Sequence, residues 1–160
     1  MSLESVRKYF SRFGIQNRIQ ELPESSATVD LAAHALGCEG KRIAKTLSFW
    51  VREKPILIVM AGDAKIDNHK YKHFFGVKSK MMTPNEVESV VGHAVGGVCP
   101  FGINDGVSVY MDVSLKRFTT VFPACGSGNS AIELSIDEMQ KYSNCVEWID
   151  ICKSWQNPPV

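Results

Sequence analysis

Six consecutive residues, Ile56-Leu-Ile-Val-Met-Ala61, limit what this chain can fold into more than any other stretch. The run is apolar at odd and even positions alike, so a strand built from it has no face for water and must lie inside a sheet covered on both sides. Lys54-Pro55 turns the chain into it and Gly62 ends it. Upstream, Lys45 to Val51 alternates, with Lys45, Leu47, Phe49 and Val51 on one face and Thr46, Ser48 and Trp50 on the other. Lys45 thus shares the apolar face.

Helices must supply the cover. Leu3, Val6, Phe10 and Phe13 recur at helical spacing over about residues 3–13, stopped by Gly14. Thr28 caps a helix through Val29, Ala32, Ala33 and Leu36 that ends at Gly37, and Asp67 caps another through Tyr71 and Phe74 to Gly76. Thr83-Pro84-Asn85-Glu86 and Ser135-Ile-Asp-Glu138 are capping boxes, opening helices to about Val91 and Tyr142. Further strands are expected at Ile15–Leu22, Val107–Met111, Thr119–Ala124, Ala131–Leu134 and Val146–Ile151, with a basic connector over 38–44 and a frayed tail from Lys153 to Val160. Several strand-to-strand connections are too short for parallel crossovers. The expectation is an α+β fold: a curved, mixed, mostly antiparallel sheet with peripheral helices.

At 160 residues the chain fits one domain, residues 1–160, with 44% hydrophobic and 22% charged residues and a net charge of +1. That small total conceals a basic span, Lys65 to Lys80, in which Lys65, Lys70, Lys72, Lys78, Lys80, His69 and His73 face the single acid Asp67. It reads either as a solvated helix face or as a patch that tracks phosphates. The five cysteines, Cys38, Cys99, Cys125, Cys145 and Cys152, include no Cys-x-x-Cys pair, which points to reduced thiols in a cytoplasm. The first ten residues hold no signal-peptide run, and no apolar run is long enough to span a bilayer.

The densest punctuation is Gly92-His-Ala-Val-Gly-Gly-Val-Cys-Pro-Phe-Gly102, with four of the twelve glycines. Bare backbone with Val95, Val98 and Phe101 beside it describes either a tight turn or a loop pinned to a core as the floor of a pocket. It leaves a helix C-terminus, so it is no phosphate cradle of the P-loop kind. Lys45 is either a snorkelling lysine or an ammonium at a pocket rim. Cys99 is a nucleophile without an assignable triad or a small buried thiol. His69 and His73 stand one helical turn apart, either as an exposed pair or as two ligands lacking a third.

Ile43-Ala-Lys45-Thr-Leu, Ala61-Gly-Asp-Ala-Lys-Ile-Asp67 and Gly92-x-x-x-Gly96-Gly97-Val98-Cys99-Pro100-x-Gly102 stand in the order and approximate spacing of the YbaK/ProX family, which this chain resembles from Thr28 to the helix after Ser135. These are aminoacyl-tRNA editing domains, free-standing or inserted in bacterial prolyl-tRNA synthetase. The resemblance implies a barrel-like curved sheet and a pocket that hydrolyses the ester of mischarged tRNA carrying a small amino acid such as Cys or Ala, on tRNA-Pro. No cofactor and no metal is implied. The partners implied are aminoacyl-tRNA and a prolyl-tRNA synthetase. The functional lysine maps onto Lys45, with Gly96 and Gly97 offering backbone N–H groups to the ester carbonyl. Gly92, Val98, Cys99, Pro100, Gly102, Ser127 and Asn129 fall where the amino acid would be bound, and Lys65, Lys70 and Lys72 where tRNA would lie. Cys99 stands where serine is frequent. No general base stands out, in keeping with a route assisted by the terminal ribose hydroxyl. A non-catalytic tRNA-binding or synthetase-associated module and a metal-dependent hydrolase using His69 and His73 are the rival readings.

Overall fold

The computed structural model describes residues 2–155. In chain order, α1 (Ser2–Ser11) leads through a short turn to β1 (Gln20–Glu21) and α2 (Val29–Leu36), then to β2 (Ile43–Val51) and β3 (Lys54–Ala61). β4 (Lys65–Ile66), α3 (Asn68–Phe75) and α4 (Pro84–Glu86, continued by a π turn over Val87–Val91) follow. The second half comprises β5 (Ser108–Asp112), a 3₁₀ turn over Val113–Arg117, β6 (Thr120–Pro123), β7 (Ser130–Ala131), β8 (Leu134–Ser135), α5 (Ile136–Tyr142), β9 (Glu147–Ile149) and β10 (Cys152–Lys153).

β3 is the middle of the molecule. Every residue from Ile56 to Ala61 is buried, and β3 lies between β2 and β5 in a six-stranded sheet ordered β8-β6-β2-β3-β5-β9. The sheet is the expected curved half-barrel of an α+β fold, left open with β8 and β9 at its edges. Over all seven ladders four are antiparallel; within the large sheet, β2/β6, β3/β5 and β5/β9 are parallel. The parallel pairs join strands far apart in sequence, which short connections do not forbid.

The aromatic residues fix the helices. Phe10 of α1 packs on Phe101 at 4.8 Å and on Tyr142 of α5 at 5.8 Å, while Tyr71 of α3 packs on Phe49 at 5.3 Å and Phe75 at 4.6 Å. α2 sets Ala32 against Ile43 and Phe122. Among the described residues no helix is long and apolar enough to cross a membrane.

The weak strands differ from expectation. Ile15–Leu22 forms a 3₁₀ turn over Gln16–Arg18 and only two ladder residues, Gln20 opposite Ala131 and Glu21 opposite Ser130. The strand expected at 131–134 is two separate pairs, β7 and β8, and that at 146–151 stops at Ile149. The connector coils into a 3₁₀ turn over Gly40–Arg42, and β2 begins at Ile43. Lys153 is no tail residue: it pairs opposite Lys65, and Cys152 opposite Ile66. The rest of the expected tail, 156–160, lies outside the described residues.

Candidate active site

β2 has a strand on both sides only at its ends. β6 accompanies it at Ile43 and Ala44 and then stops at Pro123, which lacks the N–H a ladder needs. At the far end Met82 N–H donates to Ser48 O at 3.1 Å and Trp50 N–H to Lys80 O at 2.8 Å. Between these two attachments, at Lys45 to Leu47, no strand among the described residues pairs with β2 opposite β3. A cavity of about 320 Å³ opens at that gap. Its walls are β2 from Ile43 to Ser48, the chain from Ser26 into α2, Met81, Met82 and Val87 around α4, the Val95–Val98 part of the glycine loop, and Phe122, Ala124 and Ser130.

Lys45 lines this cavity, half-buried, and its Nζ donates to Gly62 O at 3.4 Å. Burial lowers its pKa, opposed by the nearby Cys152 and Asp63 and aided by Lys65. Most of the wall is apolar, but Ser26 Oγ and Thr46 Oγ1 are buried without a hydrogen-bond partner. Two unsatisfied hydroxyls in a largely apolar wall can donate to and accept from a polar ligand. The buried Ser130 also lines the wall, its Oγ 2.6 Å from Ser127 Oγ. Thr46 is legible in β2, where alternation puts it on the polar face next to Lys45. Nothing in the sequence singles out Ser26 or Ser130.

The glycine loop is pinned where it leaves α4. Gly92, at φ 100°, donates its N–H to Glu88 O at 3.1 Å, and Asn104 Nδ2 donates to Ser89 O at 3.3 Å and Val90 O at 3.1 Å. Asn104 thereby satisfies carbonyls that a helix end leaves open. Only part of the loop then reaches the cavity. Gly96, with φ 99° and a tight approach to Ala27, lines it together with Val98.

Gly97 does not serve as expected. Its N–H donates to Ala94 O at 3.0 Å, and a Cβ there would lie 2.5 Å from Gly126 C and Ser127 N, so it is glycine because two backbones touch. Cys99 is fully buried beneath the loop, 3.6 Å from His93 Nε2, and burial pushes its thiol up to about 12. It packs there as a neutral thiol and does not line the cavity. Nor do Gly92, Pro100 and Gly102. Pro100 and Gly102 border a separate cleft of about 580 Å³ beside α1, where the Gly102 backbone abuts Ser5 O. That cleft is the larger, but it holds none of Lys45, Gly96 and the two unsatisfied hydroxyls, all of which line the smaller cavity. Ser127 and Asn129 act from behind the wall: Asn129 Nδ2 donates to Leu22 O at 3.2 Å, and Gly128 O accepts from Ser26 N–H at 2.7 Å.

Of the basic span, Lys65 and Lys72 are exposed, while Lys70 is engaged with Asp150 at 3.1 Å and with Cys152 O at 3.2 Å. His69 and His73 are exposed on α3, and among the described residues no three His, Cys, Asp or Glu side chains stand together as a metal site would need.

The sequence profile of the aminoacyl-tRNA editing domain matches residues 23–142, which include every element around the cavity. The chain belongs to the aminoacyl-tRNA editing domain family. An uncharacterized protein of Bacillus subtilis (strain 168), YwhH, is 54% identical over 157 residues, 98% of this chain and 100% of that one. A proline–tRNA ligase of Shouchella clausii is 31% identical over 109 residues, 68% of this chain but 19% of the ligase, and one of Nitratidesulfovibrio vulgaris (strain Hildenborough) is 30% identical over 100 residues, 61% of this chain and 17% of the ligase. This editing domain thus spans less than a fifth of those ligases. A crystal structure of a candidate trans-editing enzyme for prolyl tRNA synthetase superposes with a TM-score of 0.86 at 27% identity, covering 95% of this chain and 97% of that one.

Proposed function

We propose that this editing domain is an aminoacyl-tRNA deacylase that hydrolyses, in trans, the ester joining a small wrong amino acid, such as cysteine or alanine, to tRNA-Pro. The observation that carries this reading is Lys45: an amine half-buried in the wall of a largely apolar cavity that the backbone of Gly96 also lines. An aminoacyl ester is already labile, so the protein has to seat it, admit a water and stabilise the oxyanion of the tetrahedral intermediate. The Lys45 ammonium meets that charge. A water attacks the carbonyl carbon, the C–O bond to the ribose breaks, and the terminal ribose hydroxyls take up and return the proton, in keeping with a lining that, among the described residues, holds no Asp, Glu or His. Ser26 and Thr46 hydroxyls are available to the substrate's amino group. The volume of about 320 Å³ lies near the lower end of ligand cavities, and the discrimination proposed here is by how the aminoacyl group fits against its walls.

Lys65 and Lys153 reinforce the reading. They face each other across an antiparallel pair, both exposed. Like charges directly opposite destabilise a sheet, a cost that an anionic partner such as the tRNA backbone removes. Single-turnover deacylation of Cys-, Ala-, Ser- and Pro-charged tRNA-Pro tests the proposal. Release of Cys or Ala well above the uncatalysed rate with Pro-tRNA spared is the expected result. Binding without release on every charged tRNA would reduce the domain to an adaptor.

A further inference from the structure

Lys45 is held by a carbonyl although a carboxylate lies next door. Its Nζ donates to Gly62 O at 3.4 Å, and the following residue, Asp63, is near enough for its charge to act on the amine. The other groups acting there are the Cys152 thiol and Lys65. Cys152 is buried and its thiol raised far above its ordinary value, so it is neutral, and Lys65 repels. Asp63 is therefore the one anion of the set that can compete for Lys45.

Asp63 is occupied elsewhere. Arg117 grips it with both ends of its fork, Nη2 to Oδ1 at 2.6 Å and Nη1 to Oδ2 at 3.0 Å. Arg117 is itself immobilised: Nε donates to Ser114 O at 2.9 Å, Nη1 to Trp155 O at 3.0 Å, and the guanidinium lies 4.7 Å from the Phe118 ring and 4.9 Å from that of Trp155. The same 3₁₀ turn seizes the chain on the other side of Gly62, where Ser114 Oγ accepts from Ala61 N–H at 3.1 Å. Gly62 packs so closely on the 3₁₀ turn at Gly40 that a Cβ on it would overlap the Gly40 carbonyl oxygen. The Lys45 acceptor is thus bracketed from both sides, and the adjacent acid is turned away.

We propose that Arg117 is a positioning residue that sequesters the Asp63 carboxylate, so that the Lys45 ammonium stays in the cavity and is not captured as an ion pair beside Gly62. The inference rests on Lys45 being the cation that meets the ester. It differs from a purely structural clamp in one respect: the damage done by losing Arg117 must be undone by also losing the charge on Asp63.

The test uses Arg117→Gln, Asp63→Asn and the double variant, with single-turnover deacylation of mischarged tRNA and the titration of the Lys45 side chain followed by NMR. Arg117→Gln is expected to slow the chemical step at least about tenfold with tRNA affinity within about twofold, Asp63→Asn to stay within about threefold of the parent, and the double variant to recover to within about threefold of Asp63→Asn. In the same series the Lys45 pKa rises in Arg117→Gln, as the freed carboxylate pairs with it, and falls back in the double variant. Arg117→Lys, which keeps the cation, is expected to stay closer to the parent than Arg117→Gln. A double variant as slow as Arg117→Gln alone, or a Lys45 titration unmoved by Arg117→Gln, overturns the inference. If Lys45→Ala hydrolyses as fast as the parent, the functional reading of Lys45 fails instead, and the titration still decides whether Arg117 keeps Asp63 off the amine.

Discussion

Lys45→Ala separates the two things a lysine at a strand edge can be. A side chain that only snorkels costs little when removed, whereas a cation stabilising the oxyanion is worth about 2–4 kcal/mol of barrier, a hundredfold or more in rate. The larger loss is expected in deacylation, with an unchanged melting curve as the control, and Lys45→Arg restores only part of it because a planar fork cannot take the place of a compact ammonium. Tyr71 calls for the opposite outcome. Its hydroxyl is fully buried without a partner, and burial pushes it up to about 12. Tyr71→Phe leaves the ring packed on Phe49 and Phe75 and removes only an unsatisfied group, so stability by urea denaturation is expected to hold or to rise by up to about 1 kcal/mol. A clear loss would mean that the hydroxyl has a partner, such as an internal water.

At the scale of the element, the glycine loop and the cap of α5 give the clearest tests. Gly97→Val drives a branched side chain into the Gly126–Ser127 backbone, so it should lower stability by roughly 1–3 kcal/mol even without substrate. A variant that melts with the parent and loses only activity would return Gly97 to the substrate side of the loop. At α5, Glu138 closes a capping box with Ser135 and takes Arg18 at 2.7 Å and 3.1 Å. The Arg18 guanidinium, with help from the Ser135 N–H, holds its carboxyl down from 4.5 to about 2. The folded state then binds this proton less readily than the unfolded chain. Its stabilising effect is full above about pH 4.5 and is lost as pH falls toward 2. Glu138→Gln is expected to flatten the acid limb of the stability curve in that window and leave its slope above pH 5 unchanged.

For the molecule as a whole, the basic stripe and the cavity meet at the β4–β10 ladder, since Lys65 lies near enough to depress the Lys45 pKa and faces Lys153 in register. Replacing Lys65 and Lys153 with glutamine is expected to weaken tRNA binding and lower the slope of log affinity against log salt by about one for each phosphate no longer neutralised, while the melting temperature holds or rises. Unaltered affinity across a salt series would leave the pair without a role in tRNA binding. Lys70, held by Asp150 and Cys152 O, should contribute less to that slope than Lys72.

Local chemistry wrote much of this architecture into the sequence. The caps at Thr28, Asp67, Thr83 and Ser135 all hold their helices, Gly37, Gly76 and Gly92 stop them in the left-handed conformation, and the doubly apolar run of β3 lies at the middle of the sheet. Each depends on neighbours a few residues away, or on a periodicity that one strand carries by itself. The cavity could not be read in this way. Alternation puts Thr46 and Ser48 on one face of β2 but does not say that β6 leaves after Ala44, or that Met82 rejoins at Ser48, and the gap between those attachments is what makes a pocket. The two-residue ladders at Gln20–Glu21 and Lys65–Ile66 exist only because β7 and β10, remote in sequence, lie alongside them. A glycine cluster announces close approach without naming what approaches. For Gly97 it is another backbone and for Gly96 the cavity beside Ala27, and only the packing of segments some thirty to seventy residues apart in sequence decides between them.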